Sequence, residues 1–168
     1  LAMSNHVSAP APKWREEDGI IYFSIVSDGT TGPDWITRLE SKGFRVGDCA
    51  KQLLRSPDFH PTKGVTTEIA VLKGSLWSDA IRTTRNVRVE ALKRKLMAPN
   101  AEVACLIREK LTDQEFQAMG LWYIVAMYES IKDADGNPRL LCVIRGSNGR
   151  WLFACWGGPD RRWNHDDG

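Results

Sequence analysis

Three apolar runs in the C-terminal third of the chain read LWYIVAMYESI (121–131), LLCVIR (140–145) and WLFACW (151–156). Each run contains aromatic or β-branched residues and is bounded by turn-forming residues, a pattern typical of β-strands. The dipeptide Asn148-Gly149 between the last two runs is a strong signal for a tight hairpin. The runs therefore predict an antiparallel meander. Because they are apolar on both faces, we expect both faces to need cover.

The hairpin signal also predicts a register for the last two strands. With Asn148 and Gly149 as the central residues of the turn, Ile144 faces Phe153. In the same register Cys142 faces Cys155. Directly opposed cysteines on neighbouring strands make a disulfide conceivable, although nothing in the pattern requires one.

Strand and helix patterns also precede the meander. The apolar run at 20–26 predicts a first strand, and residues 65–72 predict a second. Helical spacing, capping residues and breakers predict helices over 33–43, 48–56, 78–96, 101–111 and 112–119. This order indicates an α+β domain: a mostly antiparallel sheet of about five strands that ends in the C-terminal meander, with helices packed mainly on one face.

The outer parts of the chain lack apolar periodicity. Residues 1–18 contain proline, small residues and a charge cluster, and we interpret them as a flexible leader. Residues 19–157 are expected to form the single domain. Residues 158–168, rich in Gly, Asp and Arg, are interpreted as a polar tail.

Composition limits the classes of protein to consider. The chain has 168 residues, of which 42% are hydrophobic and 26% charged, with a net charge of +2, as in an ordinary globular domain. No apolar run reaches the roughly 18 residues of a membrane span, and no export signal is recognisable. The four cysteines form no CxxC pair, which favours free thiols in the cytoplasm.

The tryptophans indicate a candidate binding surface. If helices cover only one face of the meander, its other face remains an apolar patch of the kind that marks interfaces or ligand grooves. The residues expected to contribute to this surface are Trp122, Trp151, Trp156 and Arg145. We therefore expect a non-catalytic binding or assembly module, which self-associates as a symmetric homodimer.

The loop between the first strand and the first helix suggests a different function. Free N–H groups and the helix dipole favour an anion at a helix N-terminus. The candidate anion-binding residues are Gly29, Thr30, Thr31 and Gly32. Under this alternative the protein is a small enzyme that holds an anionic substrate at Gly29–Asp34, with nearby carboxylates such as Asp28 as acid or base.

A third hypothesis is binding of single-stranded nucleic acid. The predicted helix at 78–96 is rich in cations, and its candidate contacts are Arg82, Arg85 and Arg88. Clustered cations neutralise phosphates, and aromatic side chains stack on bases. The cations do not share one helical face, however, so a solvated basic surface explains them as well.

No cofactor or metal is predicted. Asp133, Asp135 and Asn137 resemble the start of a calcium loop, but Pro138 stands where glycine is needed and Ile144 where a bidentate glutamate is needed. The three histidines have no metal-ligand spacing.

Overall fold

The computed structural model describes residues 13–168, so the first twelve residues of the predicted leader lie outside the described range. The strands in this range are Arg15–Glu17 (β1), Ile20–Asp28 (β2), Arg45–Val46 (β3), Lys63–Leu72 (β4), Tyr123–Val125 (β5), Ile131–Lys132 (β6), Pro138–Gly146 (β7) and Gly149–Trp156 (β8). The helices are Gly32–Ser41 (α1), Asp48–Arg55 (α2), Thr84–Lys93 (α3), Glu102–Lys110 (α4) and Asp113–Met119 (α5). The prediction of a mostly antiparallel α+β fold is confirmed, with two sheets in place of one.

The first sheet has the strand order β1-β2-β4 and is antiparallel throughout. Side chains alternate between the faces of a strand, so every second residue of β2 and β4 points into the core. The pairs Ile21–Val71 and Phe23–Ile69 are buried in this way. Strand β1 lies within the predicted leader, where Arg15 places its guanidinium over the Tyr22 ring at 4.4 Å.

The second sheet has the order β3-β8-β7-β5, with β6 paired to the start of β7. The pairs β7–β8 and β5–β7 are antiparallel, and β3 joins β8 in parallel. The first strand of the predicted meander is interrupted after Val125. There the Tyr128 hydroxyl accepts the Leu141 N–H at 2.7 Å, so a side chain occupies a backbone site that a continuous strand would use.

The register of the β7–β8 hairpin differs from the predicted one. Gly146 pairs with Gly149, Ile144 with Trp151 and Cys142 with Phe153, so Ser147 and Asn148 are the central turn residues. Gly149 has a φ of 140°, which glycine tolerates, and the Trp151 Nε1–H donates to Asn148 Oδ1 at 3.2 Å. The shift of two residues keeps every side chain on its predicted face.

The same shift makes Cys142 and Cys155 diagonal neighbours instead of directly opposed residues. Both are free thiols, as are Cys49 and Cys105. Burial raises the pKa of the Cys142 thiol well above its ordinary value. The disulfide considered from the sequence is therefore not formed.

Four helices pack together beside the sheets, each contributing large buried side chains, with Trp35, Leu53, Ile107 and Phe116 at most 1% exposed. Helix α4 contacts strands of both sheets and so links them. Arg108 of α4 is fully buried, donates to the Ile144 carbonyl at 2.9 Å, and lies between the Phe44 and Phe116 rings.

The helix predicted over 78–96 is shorter in the structure, where α3 covers only Thr84–Lys93. Thr83 caps it by accepting the Asn86 N–H at 3.3 Å. The helix ends before Lys95, whose φ of 58° is incompatible with a right-handed helix.

Residues 158–168, predicted as a polar tail, are joined to the rest of the domain. Trp163 is 6% exposed, and its Nε1–H donates to Thr84 Oγ1 at 3.0 Å. The Gly74 N–H donates to the Asp167 carbonyl at 2.7 Å. An indole packed into the core and these hydrogen bonds hold the segment in place.

Candidate functional site

The two faces of the second sheet have different cover. One face, which we call the helix face, carries Leu141, Val143, Leu152 and Ala154, all at most 3% exposed. Pairing places Phe44 and Arg150 on this face too, and Arg108 of α4 lies against Phe44. The opposite face, the outer face, has no such helix layer.

The C-terminal segment covers only part of the outer face. Gly157 continues β8 beside Leu140, since its N–H donates to the Pro138 carbonyl at 2.9 Å and a Cβ on it would lie 2.9 Å from Leu140 Cγ. Further along the segment, the positive charge of Arg161 acts on the Cys142 thiol of this face and lowers its pKa, against the larger effect of burial. Leu140 and Cys142 are consequently fully buried. The rest of the outer face, towards the β7–β8 turn, remains partly accessible.

This accessible part is an aromatic patch made of Tyr123, Ile144, Trp151 and Phe153. Tyr123, Ile144 and Trp151 are direct neighbours across β5, β7 and β8, and Phe153 is the next residue of β8 on the same face. Phe153 is 44% exposed, and the other three are half-buried. An apolar cluster left accessible to water on one sheet face is a candidate contact surface.

The rings of the patch have defined neighbours. Trp151 and Phe153 meet edge to face, with ring centroids 6.4 Å apart and planes at 88°. The Arg45 guanidinium lies 5.5 Å from the Trp151 ring centroid. Partial burial raises the pKa of the Tyr123 hydroxyl, so this group stays protonated at neutral pH. The patch is thus apolar with a cation at its edge.

The residues predicted for this surface do not come together. Trp151 belongs to the aromatic patch, whereas pairing puts Trp122, Arg145 and Trp156 on the helix side of the sheet. The Arg145 guanidinium lies 4.1 Å from the Trp122 ring centroid at the turn end of the sheet. Trp156 is six β7 positions away, opposite Arg139, which is about 20 Å at 3.3 Å per residue.

Tyr123, Ile144 and Phe153 were missing from the predicted site. The alternation of side chains along β7 and β8 already grouped Ile144, Trp151 and Phe153 on one face. The prediction of the surface from tryptophan content alone did not use this alternation. Which face lacks cover became evident only from the path of residues 157–168.

The donors of the predicted anion loop have partners within the protein. Asp28 Oδ1 accepts the Thr30 N–H at 3.1 Å, and Thr31 Oγ1 accepts the Asp34 N–H at 3.3 Å. The Gly29 N–H donates to the Thr62 carbonyl at 2.8 Å. The loop therefore presents few free donors. The charges next to it are the carboxylates of Asp28 and Asp34 and the Arg38 guanidinium, which donates to Thr30 Oγ1 at 3.0 Å.

Gly32 in this loop serves packing. A Cβ there would lie 1.7 Å from the Leu54 carbonyl oxygen at the end of α2. Only glycine permits this approach of the two backbones.

Asp28 is part of an ion-pair network with Arg38, which also binds Glu109 through two hydrogen bonds of 2.6 and 2.5 Å. Hydrogen bonds from the Thr30 hydroxyl and from Arg38 lower the pKa of Asp28 to about 2. These donors explain the shift without a bound ligand.

We expect the contribution of the Asp28 carboxylate to folding stability to be lost at acid pH. Its folded pKa lies below the unfolded value of about 3.8, so its stabilisation is present above pH 4 and is lost as the pH falls towards 2. Because the side chain is 46% exposed, we expect an effect of less than about 1 kcal/mol. Urea unfolding at pH 6, 4 and 2 should show a smaller loss of stability for Asp28→Asn than for the parent. An equal loss in both proteins would contradict this assignment.

The predicted nucleic-acid contacts are largely engaged within the protein. Arg82 is 4% exposed and donates to the carbonyls of Gly74 at 2.6 Å and Trp77 at 2.7 Å. Arg88 donates to two carbonyls after β5, and Arg85 pairs with Asp160 at 2.9 Å. Arg82 has a structural role, and Arg85 is the most accessible of the three.

Within residues 13–168, no three His, Cys, Asp or Glu side chains cluster closely enough to hold a metal ion. None of the helices in the described range has the length and apolar character needed to span a membrane. Comparison with protein-family models, curated proteins and solved structures finds no match to the chain.

Proposed function

We propose that the protein is a non-catalytic binding and assembly module that self-associates through the aromatic patch. The observation that carries this proposal is the accessible cluster of Tyr123, Ile144, Trp151 and Phe153 on one sheet face. Aromatic residues are enriched at the centres of protein interfaces because they bury much area and lose little conformational entropy.

A twofold arrangement suits this surface. In a symmetric dimer the same patch meets its own copy, so a nearly flat apolar face can cover itself. Arg45 lies beside Trp151, where its charge can remain at a polar rim. The four free thiols favour a reducing compartment, and we propose a cytoplasmic location.

The two alternative functions have less support. An anion-binding enzyme would use the loop at residues 29–34, whose N–H groups are mostly engaged with protein acceptors. Nucleic-acid binding would use Arg82 and Arg88, which hold backbone carbonyls. Arg85, the third candidate for this function, pairs with Asp160 at 2.9 Å.

The test compares two substitutions that differ mainly in position. Phe153 and Trp156 are 44% and 43% exposed, but only Phe153 lies in the aromatic patch. We expect Phe153→Asp to weaken self-association at least 30-fold, about 2 kcal/mol, because it places a charge in the contact. Trp156→Asp should leave the dissociation constant for self-association within about threefold of the parent's value.

Sedimentation equilibrium over a range of concentrations gives both dissociation constants. Circular dichroism checks that the variants remain folded, and a repeat at high salt checks that the contact is apolar. A parent protein that is monomeric at every concentration, or equal weakening by both substitutions, would reject self-association through this patch.

A further inference from the structure

One edge strand of each sheet borders the same gap in the structure. Strand β4 is the last strand of the first sheet, and β5 is the last strand of the second. Between them lies a cavity of about 690 Å³, which we call the slot. It is lined by consecutive residues, 67–72 on one side and 124–127 on the other. Such continuous lining means that the slot runs along the backbone edge of each strand.

Residues 166–168 already occupy one end of the slot, where Asp167 forms a parallel bridge with Tyr123. The Trp122 N–H donates to the Asp166 carbonyl at 3.0 Å, and the Val125 N–H donates to the Gly168 carbonyl at 2.7 Å. On the other side, the Gly74 N–H donates to the Asp167 carbonyl. A Cβ on Gly168 would lie 2.6 Å from Val71 Cγ1, which shows how closely the segment fits between the sheets.

Beyond this short segment the edge of β4 is unpaired. The Lys73 N–H points towards β2, since it donates to the Gly19 carbonyl. Along an antiparallel strand, the backbone N–H groups of successive residues point alternately to the two sides of the strand. The N–H groups of Leu72, Ala70 and Glu68 therefore point into the slot, as that of Gly74 does. In the part of the chain that the structure describes, none of these three amides has a hydrogen-bond acceptor.

The sides of the slot are apolar. Val87, Ala91 and Leu92 line it from α3, and Val103 and Ile107 line it from α4. Leu92 is 74% exposed and Met97, at the mouth, is 91% exposed. A strand placed between these helices would thus meet apolar side chains on both of its faces.

A buried acceptor also lies at the slot. Asp167 lines the cavity and is 6% exposed, and its Oδ1 atom has no hydrogen-bond donor among the described residues. Its other carboxyl oxygen accepts the Asn164 N–H at 2.8 Å. An unpaired buried carboxyl oxygen is costly, so a donor brought by a ligand would be favoured there.

We propose that the slot is a strand-acceptor site, which binds an extended, mainly apolar peptide segment of a partner protein, parallel to β5 and antiparallel to β4. Asp166–Gly168 set this orientation, and the outward amides of β4 supply the main-chain donors. Strand addition to an exposed sheet edge is a recurrent mode of peptide recognition. The five residues 67–71 offer about 16 Å of edge, enough for a segment of five or six residues.

The test places a strand in the slot by covalent attachment. One variant carries the six residues Thr-Val-Thr-Val-Thr-Val directly after Gly168, which gives the added strand an effective concentration of millimolar order or more. A control variant carries Thr-Pro-Thr-Pro-Thr-Pro, because proline fixes φ at about −65° and favours a polyproline II helix with three residues per turn, whose carbonyls cannot meet every second amide of β4. Hydrogen exchange is followed by NMR at the amides of Glu68, Ala70 and Leu72.

We expect exchange at these three amides to slow at least about tenfold in the threonine–valine variant and to stay unchanged in the proline variant. Unchanged exchange in both variants, or equal slowing in both, would overturn the proposal. So would undiminished binding of the apolar dye anilinonaphthalene sulfonate to the slot of the threonine–valine variant, since the slot would then accept small apolar molecules instead of a strand. Self-association through the aromatic patch is measured separately and does not affect this result.

Discussion

Replacing Arg108 with alanine is expected to lower the free energy of unfolding by about 3 kcal/mol. The guanidinium is fully buried and donates to the carbonyls of Ile144 at 2.9 Å and Leu111 at 3.3 Å. It lies 5.0 Å from the Phe44 ring centroid and 5.2 Å from that of Phe116. Alanine would remove both hydrogen bonds from the guanidinium and leave a cavity between two rings.

The charge of Arg108 acts in the opposite direction. Burial lowers the pKa of Arg108 to about 10, and the nearest carboxylate, that of Asp113, is 3.9 Å away. Removing a poorly compensated buried charge returns part of the desolvation cost. We expect the cavity and the loss of the two hydrogen bonds to outweigh this gain, because alanine fills almost none of the space.

Arg108→Met removes the charge and the hydrogen-bond donors of Arg108 without opening the full cavity. Methionine fills much of the same space but donates no hydrogen bond, and we expect it to cost about 1–2 kcal/mol. Urea unfolding followed by tryptophan fluorescence measures both variants. If Arg108→Met is as stable as the parent or more stable, relief of the buried charge dominates and the structural role given to Arg108 is wrong.

Gly32→Ala is expected to destabilise the protein by about 2–3 kcal/mol. The added Cβ would lie 1.7 Å from the Leu54 carbonyl oxygen and 2.7 Å from its carbon, so α1 and α2 would have to separate. Both helices carry core side chains, including Trp35 and Leu53, which would shift with them.

Asp34→Ala is the matched control for Gly32→Ala. It introduces the same residue two positions later on an exposed side of α1, and we expect a loss of at most about 1 kcal/mol from the helix dipole. Thermal and urea unfolding should separate the two variants clearly. Equal stability of Gly32→Ala and the parent would mean that the backbones of α1 and α2 are not in close contact.

The α+β class was predictable because it depends on local patterns. Continuous apolar runs bounded by turn residues predicted β2, β7 and β8, partial alternation predicted β4, and the capping box Thr112–Glu115 predicted the start of α5. These signals arise within a few residues, so no knowledge of distant contacts is needed. The predicted helix over 78–96 was too long because Thr83 caps α3 and Arg82 binds distant carbonyls instead of lying on a helix.

The candidate site was only partly predictable. The sequence indicated that the C-terminal strands are apolar on both faces and that something besides their own helices meets one of them. Trp151 was the one predicted tryptophan that belongs to the aromatic patch. Trp122 and Trp156 lie on the other side of the sheet, because side-chain direction depends on the parity of the strand position.

The sequence alone determined the α+β class, the longer strands and the starts of the best-capped helices, and it placed neighbouring residues of each strand on alternate faces, because these features follow from local patterns. Tertiary structure decided the rest. It set the division into two sheets, the open edge of β4, and the docking of residues 158–168 against Thr84 and Gly74. These features depend on contacts between residues far apart in the chain, and a segment that reads as polar can still cover an apolar face when one buried tryptophan, Trp163, holds it there.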